Sequence, residues 1–169
     1  MASASHTLHE DDTRIELESA QQNHDIALSM FNQARREILI ATQDLDAAVL
    51  DQDDIIDALS RFARDNRYSE VRILLQNPDK VIHHGHRLLT LAQRLSSSIQ
   101  IHKPAEEHQG MLEAYMVVDG IGFIRRPLAD RYEGLASFKA PIEGRDLRAH
   151  FIKLWERSEP ETRLRRLQL

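Results

Sequence analysis

A chain of 169 residues with 41% hydrophobic content is the size of one ordinary domain and can bury a single sizeable core. It contains no cysteine, which excludes a disulfide framework, a thiolate metal site and thiol catalysis. The net charge of −5 argues against general attraction to nucleic acid or anionic lipid, but it is unevenly placed: residues 1–60 carry 3 basic and 13 acidic side chains, the rest 19 and 14. Met1 to Thr13 is polar and acidic with no apolar run, so residues 1–13 are expected to be a disordered leader of a cytoplasmic protein with no membrane contact. From Asn23 to Arg36 the apolar side chains Ile26, Ala27, Met30, Phe31 and Ala34 recur at helical spacing, and Glu37 to Thr42 is a short apolar run that reads as a buried strand. Asp44 to Asp51 is expected to be a loop. A second helix follows from Asp53 to about Asn66, with Asp53 and Asp54 at the positive end of its dipole. Val71 to Leu75 reads as a second buried strand, broken by the turn residues Asn77, Pro78 and Asp79. A third helix is expected from His84 to Leu95 and a third strand from Ile99 to His102. Glu113 to Val118 and Ile121 to Arg126 then form a hairpin around Asp119-Gly120, a dipeptide that tolerates positive φ angles. Pro127 to Glu143 is expected to be irregular, and Arg145 to Arg157 a last helix bearing Leu147, Phe151, Leu154 and Trp155.

Helix–strand alternation calls for parallel strands joined by helical crossovers. The expectation is therefore an α/β fold: a mixed, largely parallel sheet with helices on both faces and a late antiparallel hairpin. One domain is expected over residues 14–157, followed by a basic C-terminal tail at 158–169. Ligands of such sheets gather at the carboxyl ends of the strands.

The element order, with Met116-Val117-Val118-Asp119-Gly120 late in the chain, resembles a phospholipase D-like half-unit over about Ile15 to Trp155. In that family the strand before the hairpin carries His-x-Lys, with an Asp five residues after the Lys. The His attacks phosphorus and the Lys neutralises the phosphoryl oxygens. With the family's aspartate on Asp119, the histidine position holds Leu112 and the lysine position Ala114. The resemblance therefore implies the scaffold and argues against the activity. It also implies pairing of two half-units, so a homodimer is expected.

Two clusters stand out as ligand contacts. His83, His84 and His86 surround Gly85 after a strand, where His86 is placed to meet a ligand; no metal site is expected there. Arg125, Arg126, Arg131 and Tyr132 leave the hairpin and enter the irregular stretch, and forked guanidinium groups suit phosphate or carboxylate. The tail residues Arg163, Arg165 and Arg166, near Leu164, Leu167 and Leu169, leave room for a protein partner or nucleic acid, although three basic side chains beside Glu159 and Glu161 are a thin nucleic-acid footprint. Phe151 and Trp155 read as core. No glycine-rich phosphate loop or serine elbow occurs, and no cofactor is expected.

The leading expectation is a non-catalytic phospholipase D-like module for ligand binding or assembly, its ligand anionic and held by His86, Arg125, Arg126, Arg131 and Tyr132. One alternative is a phosphodiesterase or phosphotransfer enzyme with a relocated histidine, His102 or His108. Another is a structural accessory to an enzyme such as an acyl- or acetyltransferase.

Overall fold

The computed structural model describes residues 5–65 and 67–166. Ser19 opens the first helix, α1 (Ala20–Gln33), with a capping box: its Oγ accepts from the Gln22 N–H at 3.1 Å, and the Gln22 side chain accepts from the Ser19 N–H. The helix starts three residues before the expected Asn23, because the cap and not the apolar period sets its origin. It buries Ala27, Met30 and Phe31 and gives way to β2 (Glu37–Thr42), whose bounds coincide with the apolar run.

Among the described residues eight strands form one sheet, in the order β1 (Ile15–Leu17), β7 (Gly134–Ser137), β6 (Gly122–Arg126), β5 (Ala114–Val118), β2, β3 (Glu70–Leu75), β4 (Ile99–Lys103) and β8 (Glu159–Pro160). The expected run β2, β3 (Glu70–Leu75) and β4 (Ile99–Lys103) is parallel. The expected hairpin, β5 (Ala114–Val118) and β6 (Gly122–Arg126), is antiparallel and joins β2 antiparallel as well. The fold is thus mixed α/β as expected, but antiparallel pairings outnumber the two parallel ones. The excess comes from three short strands. β7 (Gly134–Ser137) arises inside the stretch expected to be irregular, and β1 (Ile15–Leu17) and β8 (Glu159–Pro160) finish the edges.

Successive residues of a strand face opposite sides of the sheet. Ile38 and Ile40 enter one core with Val71, Ile73, Leu75, Met116 and Val118, under α1, α3 (Asp53–Asp65) and α5 (Arg87–Arg94). Leu39, Ala41, Leu74, Tyr115 and Val117 enter a second core against Phe151 and Leu154 of α6 (Pro141–Glu156). Ile38 to Ala41 of β2 are all apolar because both faces of the strand are covered.

Other local expectations change. Asp44 to Asp51 contains a one-turn helix, α2 (Ala47–Leu50). Pro78 starts a helix, α4 (Pro78–His84), rather than a turn, since proline suits the first helical turn. The helix expected from His84 is therefore two pieces, parted at Gly85 with φ 76°, and His86 caps α5. Likewise α6 begins at Pro141 and not Arg145.

The leader and tail expected outside residues 14–157 join the packing where they are described. Leu8 is buried in the core, and the backbone N–H of His9 donates to Phe138 O at 3.1 Å. In the tail, β8 pairs with β4, and Leu164 of α7 (Thr162–Arg166) is buried. The side chains of Arg165 and Arg166, residues 1–4, and Leu167 and Leu169 lie outside the described residues.

Candidate recognition hollow at the carboxyl ends of the strands

The carboxyl end of β2 and the helix α4 that follows β3 border a hollow of about 520 Å³, within the size range of small-ligand sites. Its floor begins at an elbow after β2. Thr42 Oγ1 accepts from the Leu45 N–H, and Asp44 Oδ1 from the Asp46 N–H, each at 3.0 Å. Leu45 and Asp46 take φ 61° and 22°, a region that residues with a Cβ seldom enter. Leu45 is fully buried, and its carbonyl accepts a hydrogen bond from His86 Nε2 at 3.0 Å.

The other ring nitrogen of His86, Nδ1, accepts from the Leu88 N–H at 3.0 Å as the cap of α5. An imidazole that donates from Nε2 and accepts at Nδ1 is neutral. Burial pushes its pKa below the ordinary value, which favours that state. Both nitrogens of His86 are thus engaged by the fold.

Ala114 and Arg126 are register partners on β5 and β6 and both line this hollow. Arg126 is 6% exposed. Its Nε donates to Arg131 O at 2.7 Å, Nη2 to Ala129 O, and Nη1 to Asp46 Oδ2 at 2.6 Å. The Tyr132 ring lies 4.9 Å from the guanidinium carbon, and its hydroxyl donates to Asp46 Oδ1 at 3.3 Å. Burial and the Asp46 charge hold the Tyr132 phenol above its usual range, so it stays a donor. Lys80, exposed at the rim, pairs with Asp44 at 2.8 Å.

The five expected ligand residues do not converge. His86, Arg126 and Tyr132 line this hollow, whereas Arg125 and Arg131 line a second one of about 540 Å³ with Phe123, Leu128 and Leu135. Neighbouring residues on a strand point to opposite faces, so Arg125 and Arg126 part. In the second hollow Arg125 Nε donates to Glu113 at 2.9 Å, and Arg14 makes a two-point contact with Glu143 at 2.6 and 2.9 Å. Asp44, Asp46 and Lys80 did not stand out in the sequence, although two aspartates just past the carboxyl end of a strand occupy the place where such folds bind ligands.

The remaining motif residues lie elsewhere. Leu112 is 69% exposed. Asp119 sits at the opposite end of β2, about 17 Å away by strand rise. There its carboxylate accepts the N–H groups of Arg35, Arg36 and Glu37 at 2.8 to 3.0 Å. His102 stacks on Trp155 at 3.8 Å and meets Ser158 Oγ at 2.8 Å. His108 lies in a 3₁₀ turn (Glu106–His108), and its Nδ1 is buried with no hydrogen-bond partner among the described residues. Neither of these two histidines lines the first hollow. Among the described residues no three His, Asp or Glu side chains are grouped to hold a metal ion, and no helix is long and apolar enough to cross a membrane.

Comparison with known proteins gives a family and a fold. The model of a domain of unknown function, DUF7931, matches residues 19–167. No curated protein matches the sequence. Among solved structures the chain is similar to TrmBL2, an archaeal chromatin protein with a novel mode of DNA binding, at a TM-score of 0.63 and 17% identity. That match covers 89% of this chain but 55% of TrmBL2, so the chain spans about half of that protein. It is also similar to Nuc from Salmonella typhimurium, a phospholipase D family member (TM-score 0.59, 13% identity, 88% of this chain and 98% of that one). NucT from Helicobacter pylori gives a TM-score of 0.58 at 13% identity, over 88% and 98% of the two chains. The fold is phospholipase D-like.

Proposed function

The chain belongs to the DUF7931 domain family, and we propose that it is a non-catalytic phospholipase D-like module that works by recognition. Ala114 carries this reading. It lines the hollow at the position where a phospholipase D-like half-unit places its lysine, and the histidine position, Leu112, is an exposed hydrocarbon. Neither side chain can attack phosphorus or neutralise a phosphoryl oxygen.

The ligand proposed for the hollow is a small oxyanion, a phosphate or a carboxylate, in reach of Arg126, Tyr132 and Lys80. Arg125 and Arg131 supply a second cationic rim over the apolar floor of Phe123, Leu128 and Leu135. A second copy of the chain is the proposed partner. Leu112 and Leu128 are exposed on two backbone segments joined by the Ala129 N–H bond to Leu112 O at 2.7 Å, and are the apolar contact proposed for that copy. Likeness to TrmBL2, with the basic balance after residue 60, supports a second reading in which the ligand is nucleic acid.

Two measurements test these readings. A chromogenic phosphodiester should not be turned over by the wild type. Turnover that disappears in His102→Ala or His108→Ala would overturn the non-catalytic reading. Thermal shifts with inorganic phosphate, nucleotides and oligonucleotides separate the ligand classes, since a ligand at a hundred times its Kd stabilises by about 2.7 kcal/mol. A shift with oligonucleotides alone selects nucleic acid.

A further inference from the structure

The buried guanidinium of Arg126 requires an anion, and at present the chain supplies it. Asp46 presents one carboxylate oxygen to Arg126 Nη1 at 2.6 Å and the other to the Tyr132 hydroxyl at 3.3 Å. Two donors facing the two oxygens of one carboxylate make a small receptor, and Asp46 occupies it from 80 residues away in the sequence. The arginine is fixed independently of its anion, because two backbone carbonyls of the β6–β7 connection, Ala129 O and Arg131 O, accept its other hydrogen bonds. The aspartate is placed at a conformational cost, with φ 22° at Asp46 and 61° at Leu45. Receptor and occupant line the same hollow, and Lys80 stands at its rim.

We propose that Asp46 is a tethered stand-in for the ligand: it fills an oxyanion seat built by Arg126 and Tyr132, and a free phosphate or carboxylate binds by displacing it. This rests on reading the hollow as a recognition site and adds what gates it. The occupied seat is the closed state. Departure of Asp46 relieves the strained elbow while the incoming anion takes over the charge of Arg126, so the buried cation is never left alone. A tethered group acts at an effective concentration of millimolar or above, which sets the handicap a free anion has to overcome.

The test is anion-dependent thermal stability of the full chain, with inorganic phosphate and acetate in separate arms at constant ionic strength. Asp46→Asn keeps the shape of the side chain and removes its charge. It is expected to reach half of its maximal stabilisation at about tenfold lower anion concentration than the wild type, the gain expected on removing a tethered competitor. The gain should vanish in D46N/R126Q and shrink in D46N/Y132F. Response to phosphate only identifies a phosphomonoester-like ligand, and response to acetate only a carboxylate.

Equal responses of D46N and wild type overturn the proposal, as does a gain that survives R126Q. Should D46N fail to fold, Asp46→Gly removes both the carboxylate and the unfavourable φ of a residue with a Cβ, and the same criteria apply. A wild type unmoved by either anion beside a responsive D46N leaves the seat standing and refutes recognition by the native hollow. A responsive wild type with no gain in D46N does the reverse.

Discussion

Asp119, which the sequence aligns with the aspartate of a phospholipase D-like motif, has structural partners. With φ 54° it turns the hairpin, and its fully buried carboxylate gathers three backbone N–H groups where α1 ends and β2 begins, with His9 Nε2 at 3.2 Å. Hydrogen bonds to a charged acceptor contribute about 1.5–3 kcal/mol each, and stranded buried donors add a desolvation cost. Asp119→Ala should therefore lower the free energy of unfolding in urea by about 4.5 kcal/mol or more. Asp119→Asn, which tolerates the same φ and keeps one acceptor, should lose much less. A second residue makes stability depend on pH. His24 is held by Asp25 at 2.9 Å and by Asp54 of α3 at 2.8 Å. Burial alone would lower its pKa, but the hydrogen bonds and charges of the two carboxylates outweigh it and raise the value above the ordinary 6.5. A raised folded-state pKa contributes stability that is whole below about pH 6.5 and is lost as pH rises through the folded value. The partner Asp54, held below its usual range chiefly by the hydrogen bond from His24, loses its contribution as pH falls through its own folded value. Urea unfolding at pH 6 and pH 8 should show a loss in the wild type that His24→Gln lacks.

Among the elements, α6 forms the helical wall of the second core and crosses the β5–β6 turn closely. A Cβ on Gly144 would lie 2.5 Å from Gly120 O and 3.0 Å from the Ile121 Cα, which are backbone atoms that cannot swing aside. Gly144→Ala should therefore destabilise the fold, although alanine is the better helix former by about 1 kcal/mol. A Tm above that of the wild type would show the approach to be looser. The elbow after β2 is the other decisive element. It puts an aspartate, where a loop was expected, against an arginine two strands away in the sheet.

The whole sheet is bounded by two of its shortest strands, and β8 pairs with the outer edge of β4 at His102 and Lys103 while α7 packs beside α5 with Leu164 in the core. An uncovered edge pairs with other chains. Removal of residues 158–169 should therefore give concentration-dependent association by light scattering, whereas the intact chain should keep a constant mass over the same range. Much of this architecture was legible from local pattern. The apolar run of β2, the Asp119-Gly120 hairpin, the helical faces of α1 and α3 and the hydrocarbon at 112 and 114 are readable because period, turn chemistry and side-chain identity act within a few residues. β1, β7 and β8, of two to four residues, are too short to display alternation and become strands through the neighbours they pair with. The site divided along the same line. Residue identities and strand alternation told that Leu112 and Ala114 are hydrocarbon and that Arg125 and Arg126 face apart, while the seating of Asp46 on Arg126 required the assembled sheet, since an ion pair across 80 residues depends on contacts that exist only once the strands have come together.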